Sequence, residues 1–573
     1  MDYIFSISEP HGRFVSIELL VHGPFSAEGF DLQLPSWRPG RYETGNFAKN
    51  IKGFSVTDQD GTSLPFKKVT KDCWRISGKM HSATIRYQYF AAQPDAGACF
   101  LDHELLYINP VHCCFYIPGR EMEPCKVTLN IPGEWKIATG MNITDEHILH
   151  ASDFHQLVDC PFMASPSLSH AHYTLDNIQF NIWFQGEAQP EWPKILKDFK
   201  AFTEVQLKTM KEFPASNYHF LVLLVPFPFY HGVEHLNSTV LALGPGYKLM
   251  QPDMYKELLG VASHELFHSW NVKSIRPVEM LPYNYTTENY AETGYVYEGV
   301  TTYYGDLFLA RSGYFSLSAL LHEYSVRLQK HTDNPGIFNY SVAESSFDTW
   351  LDGYTPGVPG RKTSIYDEGC LLALSLDFMI RSATASKHSL DDVMRVLYFE
   401  YAKKNKGYTG NDFREIAETI ASRSFKDFFE NYIYKATSLV SLLGEIVSLA
   451  GLRLIETPSI HNQERRWGVK TEYRNGQLFV TSVYPGSPAA NANLFKEDEL
   501  IFLNGIRIDN NISELIALNS ENAQELILSS GKKIKKVTLA VSEKQYYNRY
   551  TIEAEDKISA GQLNFRQHWL GTI

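Results

Sequence analysis

Residues 261–270 read Val261-Ala262-Ser263-His264-Glu265-Leu266-Phe267-His268-Ser269-Trp270, a His-Glu-x-x-His motif in a stretch predicted to be helical and to stop before Pro277. At 3.6 residues per turn, His264 and His268 project from one helix face a turn apart, so both imidazoles can reach a single zinc ion. Glu265 lies beside that face, where it can take a proton from water attacking a carbonyl. A catalytic zinc needs a third protein ligand and one open position. Thirty positions after His268, Tyr295-Val296-Tyr297-Glu298-Gly299-Val300-Thr301 places Glu298 in a second aromatic, helix-prone stretch. Its carboxylate would complete a two-histidine, one-glutamate site for one zinc ion per chain. Asp306, two turns further on, is either a partner that orients a ligand histidine or a solvated helix-face charge.

The 573 residues around this motif have a globular composition. Hydrophobic, aromatic and charged shares of 44%, 13% and 21% exclude a mainly disordered, collagen-like or coiled-coil chain. Fifty-three basic against 65 acidic side chains give a net charge of −12 without a long basic run, which argues against general nucleic-acid affinity or docking on an anionic membrane. No stretch approaches eighteen uninterrupted apolar residues, so no membrane span is predicted. Met1-Asp2-Tyr3-Ile4-Phe5-Ser6-Ile7 has no basic segment followed by an apolar one. The expected location is cytoplasmic, or periplasmic if a leader has been removed. Seven cysteines, an odd number without Cys-x-x-Cys spacing, read as reduced thiols, and Cys370 in an apolar helical run reads as a buried, inert one.

Period-two segments such as Ile85-Arg86-Tyr87-Gln88-Tyr89 and Val127-Thr128-Leu129-Asn130-Ile131, separated by turn signals, predict a β-sandwich over 1–170. Residues 171–455 read as a mainly α-helical domain, opened by strands near 180–184 and 218–225 around a helix at 192–213. A small β-rich domain follows over 456–545, with strands at 477–483 and 500–503. The remainder, 546–573, carries Trp569 and Leu570 and reads as a tail closing onto another domain. The expected class is a multidomain α+β protein.

His-Glu-x-x-His followed by Glu-Gly-x-Thr resembles the gluzincin peptidases. Trp270-Asn271-Val272-Lys273-Ser274-Ile275-Arg276-Pro277 narrows the resemblance to the glycyl aminopeptidase family, relatives of aminopeptidase N that carry a PDZ domain. Leu34-Pro35-Ser36-Trp37-Arg38-Pro39-Gly40-Arg41-Tyr42 resembles a segment of that family's N-terminal β domain. His231-Gly232-Val233-Glu234-His235 resembles its Gly-Gly-x-Glu-His segment, with His231 in place of the first glycine. Trp467-Gly468-Val469 and Gly486-Ser487-Pro488-Ala489-Ala490 resemble a PDZ domain, although Asn493 and Glu497 stand where glycines are commoner. The resemblance implies a β-sandwich, a thermolysin-like catalytic domain and a PDZ domain, in that order.

It also implies roles. Tyr366 would stabilise the oxyanion, Glu234 would bind the free α-ammonium of the substrate, and Gly232 and His235 would belong to the same substrate wall. Lys273 and Arg276 either bind substrate carbonyl or carboxylate groups or pair with the excess acid. Trp467, Gly468 and Val469 would form the PDZ peptide groove, for a peptide or protein ligand. The activity implied is release of small N-terminal residues, Gly or Ala, from peptides. The alternatives are a PDZ-guided zinc endopeptidase and a catalytically inactive peptide-binding adaptor.

Overall fold

Phe14–Phe25 and Met80–Phe90 alternate between core and solvent along most of their length, as strands with one buried face do. They pair antiparallel within a seven-stranded sheet ordered 142–145, 148–151, 125–130, 2–9, 14–25, 80–90, 51–58. The computed structural model describes residues 1–355, 357–518 and 521–572; Ile573, at the end of the expected tail, lies outside them. A four-stranded and a three-stranded sheet add Ile108, Phe162, Leu32 and Trp74 to the core already containing Phe5, Ile17 and Ile85. That core has no break at residue 170: it continues through Val272, Tyr283, Tyr297 and Trp350. Trp37 joins the two regions, packing edge-on against Tyr283 and Trp350 and donating its indole N–H to the Asn284 carbonyl at 2.7 Å.

Residues 169–244 hold more strand than the sequence suggests. A five-stranded mixed sheet runs in the order 169–175, 178–185, 217–224, 238–244, 229–234. Its edge strand, Phe229–Glu234, is antiparallel to Ser238–Gly244. Helices follow at Pro252–Phe267, Thr301–Arg311 and Asp367–Ala383. The tail forms the helix Ala560–Leu570, and Trp569 is fully buried. Its indole N–H donates to the Tyr303 hydroxyl at 2.9 Å.

The chain divides into two compact units. The first comprises 1–320, 336–437 and 564 onward, and the second comprises 321–335 and 438–563. The second unit has a sheet ordered 469–474, 477–483, 499–503, 524–530, 533–539 over its own core of Trp467, Val469, Leu500 and Leu526. Asn493 and Glu497, flagged as glycine positions, adopt φ of 56° and 70°, so the turn keeps its left-handed geometry without glycine. All seven cysteines are buried, and none is joined in a disulfide among the described residues.

Candidate metal centre and active site

The helix Pro252–Phe267 ends just before His268, earlier than the sequence suggests. Beyond it the backbone turns sharply, with Val272 at φ 92°, unusual for a β-branched residue. Asn271 makes this turn a clamp. Its carbonyl accepts the His268 Nδ1 proton at 2.8 Å, while its amide donates to the Val296 carbonyl and the Thr301 hydroxyl, both at 2.9 Å. That contact commits Nδ1 to the backbone and turns Nε2 toward Glu298. Glu298 itself lies in a π-helical turn, Tyr295–Val300, a geometry often found at functional sites.

The three expected ligands converge. His264 Nε2 and His268 Nε2 lie 3.0 Å apart, and Glu298 Oε2 is 3.7 and 3.4 Å from them. Ligands about 2.1 Å from one tetrahedral ion lie about 3.4 Å apart, so the donor set and spacing fit zinc. The charges fit as well. Burial opposes a charged His268, but Glu298, Glu234 and Glu265 outweigh it and raise the imidazole to about 10. Burial also opposes the Glu298 charge, yet His268 and His264 hold that carboxyl at about 2. Buried carboxylates around two imidazoles form a site that calls for a cation.

Glu265 is buried, and its Oε2 has no hydrogen-bond partner. Burial, reinforced by Glu234 and Glu298 and partly offset by His268, raises its carboxyl well above the ordinary range. Gly232 on the edge strand backs directly onto it: a Cβ there would fall under 3.0 Å from Glu265 Oε1. Glu234, at the end of the same strand, is 4% exposed with Oε1 unpartnered. Oxygen atoms of Glu234 and Glu265 and a nitrogen of His268 all lie within 4.8 Å of one another. Tyr366 precedes the helix Asp367–Ala383, which crosses the Glu298 turn where Gly369 meets Gly299. Burial first, then Glu298, Tyr354 and Glu234, push its phenol well above 10, so it stays protonated.

Other expected site residues stand further back. Lys273 is buried and donates to Asp159 Oδ1 at 2.5 Å, while His235 Nδ1 donates to the same oxygen at 3.2 Å. Arg276 donates to the Lys273 carbonyl at 3.1 Å, stacks on Tyr283 and lines a cavity of about 400 Å³. Asp306 is buried rather than solvated. In the second unit, Trp467 is a core residue, and Gly468 donates to the Glu464 carbonyl and accepts from Tyr484 N–H.

Two contacts with the site escaped the sequence reading. Tyr42 Oη donates to Glu298 Oε1 at 2.9 Å, and Gly40 lies against the Glu234 carboxylate. Both belong to the 34–42 segment, whose resemblance gave it a domain but no role. Tyr42→Phe removes one hydrogen bond from the third ligand and is expected to weaken zinc binding about 10-fold, read by competition with a chelator. Unchanged affinity would make that contact structural only.

Residues 2–166 match the Peptidase M61 N-terminal domain and residues 257–372 match the M61 glycyl aminopeptidase family. The crystal structure of an aminopeptidase N family protein from Idiomarina loihiensis is 25% identical over 99% of each chain, with a TM-score of 0.90. An M1 zinc metallopeptidase from Deinococcus radiodurans was solved as a variant bound to Tyr-Ser-Ala and also without mutation. The two structures are 11% and 12% identical, each covering 76% of this chain and 93% of theirs, with TM-scores of 0.48 and 0.43. No curated protein sequence matches the chain.

Proposed function

Because this chain is a zinc-dependent metallopeptidase of the M61 family, we propose that it is an aminopeptidase releasing small N-terminal residues, Gly or Ala, from peptides with a free α-amine. The observation that carries this reading is Glu234, a buried carboxylate with an unpartnered oxygen beside Glu265 and His268. An ammonium group satisfies it, and a blocked N-terminus does not. One charge-assisted hydrogen bond of about 1.5–3 kcal/mol corresponds to a preference of about 10- to 150-fold.

His264, His268 and Glu298 hold the metal in this reading. Zinc there would supply Lewis acidity toward the scissile carbonyl and ease deprotonation of water. Glu265 takes the proton of the attacking water and passes it to the leaving amine. Tyr366, kept neutral, donates a hydrogen bond to the developing oxyanion. Asn271 and Tyr42 hold His268 and Glu298 in place through the atoms that do not face the metal.

We extend the proposal to the domains: a β-sandwich over 1–170, a thermolysin-like catalytic domain over 171–455, a PDZ domain over 456–545 and a tail from 546. The PDZ reading is supported by Val469–Arg474, which lies at the edge of its sheet, where a bound peptide can add as a further strand. The experiment compares zinc-loaded enzyme on an alanyl peptide and on its N-acetylated form. A free-amine preference of 10-fold or more that disappears in Glu234→Ala is expected. Equal rates on the two peptides would replace the aminopeptidase reading with an endopeptidase.

A further inference from the structure

Arg38 is the most conspicuous charged side chain that the scheme above leaves without a task. It is 3% exposed, yet it forms no ion pair within 4 Å among the described residues. Its one hydrogen bond, from Nη1 to the neighbouring Pro39 carbonyl, is long at 3.3 Å, and Nη2 has no partner. A buried guanidinium in that condition is costly unless something else supplies an acceptor. One carboxylate close enough to feel the Arg38 charge, Asp95, already has an oxygen engaged. Asp95 Oδ1 accepts from His231 Nδ1 at 2.6 Å and from Gly97 N–H at 2.8 Å. His112 Nε2, buried nearby, is also unpartnered. Burial and the Arg38 charge keep that imidazole neutral, with a pKa of about 3.

The position of this cluster along the site follows from the edge strand. Glu234 ends the strand, Gly232 backs Glu265, and His231, tied to Asp95, comes next. Arg38 lies against Gly97, whose N–H shares the Asp95 carboxylate with His231. Gly232 and Glu234 share the strand face turned to the metal helix while His231 projects from the other face, so Arg38 and Asp95 stand across the edge of this strand from the ammonium anchor and the general base. With a rise of about 3.3 Å per residue, Glu234 and His231 are about 10 Å apart along the strand. In an extended peptide the α-nitrogen and the C-terminal carboxylate are about 6 Å apart for two residues and about 9–10 Å for three. His231 and Asp95 are a quarter and a third exposed, so the cluster opens to solvent at that point.

One β-turn links the two ends of this span. In Arg38-Pro39-Gly40-Arg41 the Arg41 N–H donates to the Arg38 carbonyl at 3.0 Å, and Gly40 takes φ 85°. Gly40 touches Glu234, and Arg38, two residues earlier, lies against Gly97. A single rigid turn thus sets the distance between a carboxylate and a guanidinium, each lacking a partner atom.

We infer that Arg38 binds the free C-terminal carboxylate of very short substrates, so that the enzyme favours di- and tripeptides over longer chains. This rests on the aminopeptidase reading, because Glu234 must hold the other end. The guanidinium would form a forked pair with the carboxylate, the geometry for which arginine is best suited.

The test uses glycyl-alanyl-alanine and its C-terminal amide. Wild-type kcat/KM is expected to favour the free acid by 10-fold or more, and Arg38→Met to bring the ratio to within two-fold. Arg38→Lys keeps the charge without the fork and is expected to fall between them. Calorimetric titration of the metal-free protein with the same two peptides reads binding without turnover. There the acid should bind at least 10-fold tighter in wild type and no tighter in Arg38→Met. Equal handling of acid and amide by wild type, or a preference that persists in Arg38→Met, overturns the subsite. Should Arg38→Met fail to fold, the Arg38→Lys ratio decides: an undiminished wild-type ratio overturns the forked pair, and a reduced one supports it. The aminopeptidase reading fails separately, through equal cleavage of N-acetylated and free peptides.

Discussion

Glu265→Gln is expected to lower kcat by about 10²- to 10⁴-fold while the protein still binds zinc. The substitution is nearly isosteric and leaves His264, His268 and Glu298 untouched, so the metal should remain at one equivalent by atomic absorption. What disappears is the basic oxygen. Glu265 Oε2 is buried without a partner, so no second protein group is bonded to it that could accept the proton in its place. The same change removes one of three neighbouring acidic groups, and the metal-free variant should melt no lower than wild type. Steady-state kinetics, metal content and thermal melting together give the answer. A loss below 10-fold, or a loss that follows zinc release, would remove Glu265 from the role of general base.

Gly232→Ala should be nearly as damaging, although alanine carries no chemistry. The added Cβ would meet Glu265 Oε1 well inside contact distance and Val261 Cγ2 at 2.6 Å. Gly232 is also paired with Leu241 across the sheet, so the strand cannot retreat without breaking its ladder. Either the base swings away from the reacting atoms or the strand parts from the metal helix. A displacement near 1 Å at such a site costs about 100-fold. We expect kcat/KM to fall by that order with zinc still bound, measured on an alanyl peptide. Activity within three-fold of wild type would show that the wall yields.

The metal site was legible because its information is local. His264 and His268 are one helical turn apart, and Glu298 stands in a recognisable aromatic stretch of its own. The edge strand could be read only by resemblance, since Gly232 and Glu234 act through neighbours from another helix. Tyr42 and Arg38 gave no local signal at all. Tyr42 meets Glu298 across 256 positions of sequence, and no periodicity reports such a contact. Lys273 illustrates a different limit. Nothing in the residue types announces that Val272 takes a positive φ in the turn that leads into Lys273, whose ammonium is engaged by the half-buried Asp159.

Trp569 has a consequence for how the protein is made. Its indole is sealed against Phe378 and bonded to Tyr303, and Arg311 and Arg381 donate to the carbonyls of Trp569 and His568. These contacts close the first unit with residues translated after 438–563, the long segment of the second unit, has been synthesised. During translation the peptidase half therefore waits, with a tryptophan-sized gap beside Tyr303, while the ribosome completes the inserted module. A gene cut after the helical region encodes an unsealed protein, and the second unit cannot be removed by trimming from one side.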